Sequence, residues 1–148
     1  MVRYLDEYIR YRRHSNGQYG INMYTDDEIR EKQLLARAVG LDGAELLDDI
    51  EAIKRDCNGI GAEWMPDRLR DLLGERYPEL KIVADIHDRR YALGGGILAR
   101  WRADWEFLRN GLKMARHCRR IGIAWAVIRM WGLRRLGGAA AFNYHKVK

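Results

Sequence analysis

The segment ADIHDRRY, residues 84–91, places an imidazole, a carboxylate and a phenol close together as His87, Asp88 and Tyr91. On a helix, His87 and Tyr91 are four apart and share a face, while Asp88 points about a quarter-turn away. A second carboxylate, Asp104, stands in RADWEFL (102–108), beyond the triple glycine 94–96. If those glycines reverse the chain near Gly95, His87 lies eight residues before the turn and Asp104 nine after it. The two then face each other at one level of a helical hairpin. An imidazole held by a carboxylate is a general-base arrangement, because the carboxylate selects the tautomer and stabilises the imidazolium. Upstream, the glycines of CNGIG (57–61) let backbone carbonyls converge. Carbonyls with one or two carboxylates suit a hard cation such as Ca²⁺, and Asp88, beside the base but differently aimed, is the natural carboxylate ligand.

These side chains need helices to carry them, and the periodicity is helical almost everywhere, with no sustained alternation of period two. The expected fold class is all-α. Tyr4, Leu5, Tyr8 and Ile9 mark a short first helix within 1–15, and SNGQYG (15–20) a turn. Thr25 with Glu28 reads as a capping box for a helix through Val39 that Gly40 ends. A helix over 44–55 follows, with Leu46, Leu47, Ile50 and Ile53 inward. After the CNGIGAEW loop (57–64), Pro66 starts a short amphipathic helix through Leu73, and Pro78 stands at the edge of a helix over 79–93. Beyond the triple glycine a long helix or a pair of helices runs over 97–136. Gly122, Gly132, Gly137 and Gly138 are its expected weak points or ends. The divisions are N-terminal helices (1–56), loop and hairpin (57–108) and a basic, aromatic C-terminal segment (109–148), all within one domain.

Loop, dyad and partner carboxylate together resemble secreted-type phospholipase A2. The match rests on the loop as N58-G59-I60-G61, the dyad as I86-H87-D88-R89-R90-Y91, and Asp104, over roughly residues 57–108. In look it is nearest to small phage- and prophage-associated phospholipase A2-like proteins. Those share a CNGxGxEW-type loop, a DIHDxxY helix, a glycine turn, an ADxxFL segment and an aromatic, glycine-rich C-terminal stretch. The resemblance implies a helical hairpin with a glycine-rich calcium loop. It implies that His87 takes a proton from water attacking an sn-2 ester, that Asp104 orients His87, and that Tyr91 hydrogen-bonds Asp104. Asp88 and the carbonyls of Cys57, Gly59 and Gly61 would hold Ca²⁺, which polarises the ester carbonyl, and the Gly59 amide would add an oxyanion contact. Two departures stand out. The interval from Gly61 to His87 is longer than in animal secreted enzymes, and the cysteines that flank the dyad there are replaced here, by Ala84 or Asp85 before it and Arg90 after it. Packing must then hold the hairpin without disulfides.

Each feature also has a plain structural reading. CNGIG can be a simple turn, Asp104 can pair with Arg100 and Asp85 with Arg89 at i,i+4 spacing, and His14, His117 and His145 lack ligand company apart from Cys118 beside His117. What favours chemistry is the conjunction, with loop, dyad, mirrored partner and tyrosine in order.

The chain has 148 residues and a net charge of +6, with 47% hydrophobic and 10% aromatic residues, a composition that excludes a disordered tail. Ten of its 27 basic residues follow Glu106 and none of its 21 acidic residues does, so a body of −4 carries a tail of +10. Two cysteines, Cys57 and Cys118, are too few for a disulfide framework. The charged start lacks a signal-peptide apolar region, and the longest apolar tail run, 121–128, is too short to span a bilayer. Ile121, Trp125, Ile128, Trp131 and Leu136, interspersed with arginines, form either core with a solvated rim or an interfacial face for an anionic phospholipid surface. The second reading gives the basic tail a lipid partner. No helix-turn-helix, zinc or RNA-binding motif accompanies the arginines, so a nucleic-acid partner is not expected. The alternative to a hydrolase is a non-catalytic membrane- or virion-associated structural protein that keeps the hairpin.

Overall fold

The computed structural model describes residues 24–57, 68, 74–140 and 142–144, and these form helices and turns without a strand. The expectations for the helix within 1–15, the turn 15–20, the loop from Asn58 onward and the helix 66–73 fall outside the described residues, apart from helical Arg68. α1 spans Asp26–Val39. Its start is the capping box: the Thr25 hydroxyl accepts from the Glu28 amide at 3.3 Å, and the Glu28 carboxylate accepts from the Thr25 amide at 2.9 Å. Its end is a Schellman motif, with Gly40 left-handed, its amide on Arg37 O and that of Leu41 on Ala36 O.

The helix expected over 44–55 is divided. A 3-10 turn, Ala44–Leu47, precedes α2, Ile50–Asp56. The aspartates between them are the cause. Asp49 turns its carboxylate back to the Ala52 amide at 3.0 Å and so acts as an N-cap, while Asp48 binds the Arg37 guanidinium at 2.6 and 2.8 Å. Leu47 and Ile53 are still buried, with Leu46 and Ile50 packed against them.

α3, Leu80–Leu93, runs against α4, Ile97–Cys118, across the glycine turn. Gly94 has φ +73°, and a Cβ there would lie 2.2 Å from Asn143 O, so the turn needs glycine both for conformation and for space. That contact docks the chain's end. The Gly95 amide donates to Asn143 O at 3.1 Å, and the Asn143 amide to Tyr91 O at 3.4 Å. Over 97–136 the chain forms a pair, with α5 spanning Ile121–Gly137. The break is at Arg119, φ 52°, not at a glycine: Gly122 and Gly132 lie inside α5. Arg119 occupies the left-handed position of a second Schellman motif, with its amide on Arg116 O and that of Arg120 on Ala115 O. Arg120 also binds buried Glu79 at 2.7 Å, which ties the corner to the start of α3.

The core gathers around α3. Leu80, Ile82, Val83, Ala84 and Ile86 meet Ile29 and Ala36 of α1, Leu47, Ile53 of α2, Phe107 and Met114 of α4, and Ile123 and Val127 of α5. The same helix carries the dyad.

Candidate functional site

His87 and Asp104 are both buried and come from facing helices. His87 Nε2 and Asp104 Oδ1 are 3.0 Å apart, and the Tyr91 hydroxyl donates to the same Oδ1 at 2.6 Å. One turn of α3 separates His87 from Tyr91, so their rings lie together with centroids 4.1 Å apart. The Phe107 edge closes the other side of the imidazole at 5.3 Å. Burial opposes charge on Asp104, but hydrogen bonds from His87 and Tyr91 outweigh it and hold the carboxyl below its ordinary range. Burial, then the hydrogen bond to Asp104, push the Tyr91 phenol upward.

The other imidazole nitrogen meets a residue that sequence reasoning missed. Arg134, in the last turn of α5, places Nη1 3.0 Å from His87 Nδ1. A guanidinium only donates, so Nδ1 accepts and the proton of the neutral ring sits on Nε2, directed at Asp104. Burial and then the Arg134 charge lower His87 to about 4, against the opposing pull of Asp104. Arg100 and Arg135 approach the far oxygen, Oδ2, at 4.0 and 3.9 Å. The i,i+4 pairing of Arg100 with Asp104 is therefore a loose one. Nothing in the local sequence marks Arg134, because its contact depends on how far α5 slides along α3 and α4.

Of the expected cation ligands, Asp88 is brought beside Cys57. A carboxylate oxygen of Asp88, the Cys57 sulfur and a carboxylate oxygen of Asp85 lie within 4.8 Å of one another. Gly59 and Gly61 fall outside the described residues. Chemistry narrows this trio. Burial and then the neighbouring carboxylates push the free Cys57 thiol upward, and it donates to Asp85 O at 3.4 Å. Asp85 is already engaged: Lys32 Nζ binds one carboxylate oxygen, and the Tyr24 hydroxyl donates to the other at 3.1 Å. Lys32 also lies over the Tyr24 ring, 3.3 Å from its centroid. Asp85 therefore pairs across the core with Lys32 and not with Arg89, whose partner is Asp56. Cys57 and Cys118 are free, and His117 lies in the last turn of α4.

The tail residues form a surface, which overturns the core alternative for most of them. Ile121 is 78% and Leu136 89% exposed, and Trp125 and Ile128 are exposed too, while Trp131 is partly buried. On α4, Leu98, Trp101, Trp105 and Leu112 are exposed along one face. The Trp105 and Trp131 rings touch at 5.2 Å and Arg135 lies over Trp101, which joins the exposed sides of the two helices. Compared with family models, curated proteins and solved structures, the chain matches none.

Proposed function

We propose that this protein is a calcium-dependent, phospholipase A2-like hydrolase that cleaves the sn-2 ester of membrane phospholipids with water activated by His87. The observation that carries this reading is the double use of Asp104 Oδ1 by His87 Nε2 and Tyr91. It sets the tautomer in which Nδ1 holds the basic lone pair and leaves a carboxylate to stabilise the imidazolium. Tyr91 keeps that carboxylate aimed. Asp88, with the carbonyls of Cys57, Gly59 and Gly61, would hold Ca²⁺. When bound, that ion supplies Lewis-acid polarisation of the ester carbonyl. Exposed tryptophans and leucines on α4 and α5, beside the basic tail, suit an anionic lipid surface. Among the described residues no helix is long and apolar enough to cross a membrane, so contact through them is peripheral.

One observation favours the second reading, a non-catalytic membrane- or virion-associated structural protein. His87 is buried and Arg134 already occupies Nδ1, as in a network that serves only packing. Fatty-acid release from phosphatidylglycerol vesicles separates the two. With millimolar Ca²⁺, turnover is expected from the wild type and should fall about a hundredfold or more in His87→Gln. Asp88→Asn should lose both turnover and calcium-dependent thermal stabilisation. A wild type with neither turnover nor stabilisation by Ca²⁺ sinks the hydrolase.

A further inference from the structure

The network around Asp104 holds more positive charge than it balances. Arg100 from α4 and Arg134 and Arg135 from α5 gather at a dyad whose carboxylate is Asp104, and one oxygen of that group already serves His87 and Tyr91. Arg100 donates Nη1 to the Tyr144 hydroxyl at 3.2 Å and Nη2 to Arg135 O at 3.0 Å. Its Nε, Arg134 Nη2, Arg135 Nη1 and Asp104 Oδ2 are buried without a hydrogen-bond partner among the described residues. Arg100 Nε and Arg135 Nη1 reach Asp104 Oδ2 only as loose ion pairs at 4.0 and 3.9 Å, so one carboxylate oxygen faces two guanidinium groups. Buried guanidinium N–H groups without a hydrogen bond are costly, and a planar fork of donors suits a tetrahedral oxyanion. The Arg135 side chain is 31% exposed, so the cluster meets solvent along the last turn of α5.

We propose that Arg100, Arg134 and Arg135 form a binding site for a phosphate group beside His87, where a phosphate oxygen takes Arg134 Nη1 away from Nδ1. The exchange is favourable because a charged oxygen is a stronger acceptor for guanidinium than a neutral imidazole nitrogen. The phosphate is that of a lipid headgroup or a free phosphate ester. If His87 is the hydrolytic base, the substrate's own phosphate uncovers it. That consequence rests on the hydrolase reading, whereas the anion site does not.

Calorimetric titration of the full chain at constant ionic strength, without divalent cations, tests the site. The probes are inorganic phosphate, the soluble diester glycerophosphoglycerol, and phosphatidylglycerol vesicles. Saturable binding is expected, weakened about tenfold or more by Arg134→Gln and by Arg135→Gln. The exposed Arg129→Gln, with the same charge change, should leave it intact. Dependence on Arg134 and Arg135 with vesicles alone assigns the phosphate to lipid, and with soluble probes to a free ester. An equal effect of Arg129→Gln, or no saturation with any probe, overturns the site. Where a glutamine variant unfolds, Arg134→Lys or Arg135→Lys keeps the charge but loses the fork and must still weaken binding several-fold. Unchanged affinity there is equally fatal. Phosphate binding without vesicle hydrolysis leaves the site standing and removes only the hydrolase.

Discussion

Asp104 and Asp85 show how neighbours settle what a buried carboxylate does. Asp104 receives His87 and Tyr91 and stays ionised beside an imidazole. Asp85, three residues from Asp88 on the same helix, meets Lys32 with both side chains fully buried and is closed by Tyr24. Its role is structural, and its energetics are those of a buried pair, whose separation leaves an uncompensated charge. Lys32→Met alone is expected to cost about 3–5 kcal/mol in urea unfolding, whereas Lys32→Met combined with Asp85→Leu should recover most of it. A double variant as unstable as the single one would show that Asp85 matters through other contacts. The pairing of His87 with Asp104 and the shared face of His87 and Tyr91 were legible because α-helical spacing and one glycine turn set the register, whereas the bond from Tyr91 to Asp104 was implied by the resemblance alone. Lys32 was not, since a lysine in an amphipathic stretch reads as solvated until its carboxylate partner, 53 residues on, is placed.

Helix ends followed capping chemistry, and this is why Thr25, Glu28 and Gly40 could be read directly. The errors were local competitions. Asp49 preferred to cap α2, and Arg119 took a left-handed position that glycine usually fills. Glycines inside helices likewise mean different things by environment. A Cβ at Gly111 would lie 2.4 Å from Val127, so α4 and α5 touch there through the missing side chain, while at Gly132 nothing lies within 4 Å. Gly111→Ala is therefore expected to destabilise by about 1–3 kcal/mol, with part of the loss restored by Val127→Ala. Gly132→Ala should stabilise by about 0.5–1 kcal/mol. Thermal or denaturant unfolding checks both signs, and a harmless Gly111→Ala would show that the two helices can part at no cost.

Over the molecule as a whole, charge and apolar exposure adjoin: the +10 segment beyond Glu106 includes α5 and the second half of α4, with Leu112 and Trp125 exposed, and Trp101 and Trp105 are exposed on the half of α4 just before it. Phosphatidylglycerol vesicles should shift tryptophan emission to the blue, phosphatidylcholine vesicles much less, and the shift should weaken in salt and in Trp125→Ser. No shift with anionic vesicles would sink the lipid surface. Composition and periodicity were enough for helices, for the charge division and for the pairing of His87 with Asp104, because each depends on residues near in sequence or related by a single turn. The burial of Lys32 against Asp85, the exposure of the tail's apolar residues and the seat of Arg134 on Nδ1 depended on how helices distant in sequence pack. Hydrophobic pattern marks an apolar face without saying whether a neighbouring helix covers it. That choice is made by packing, where a methyl group's worth of space, as at Gly111, sets which side chains meet.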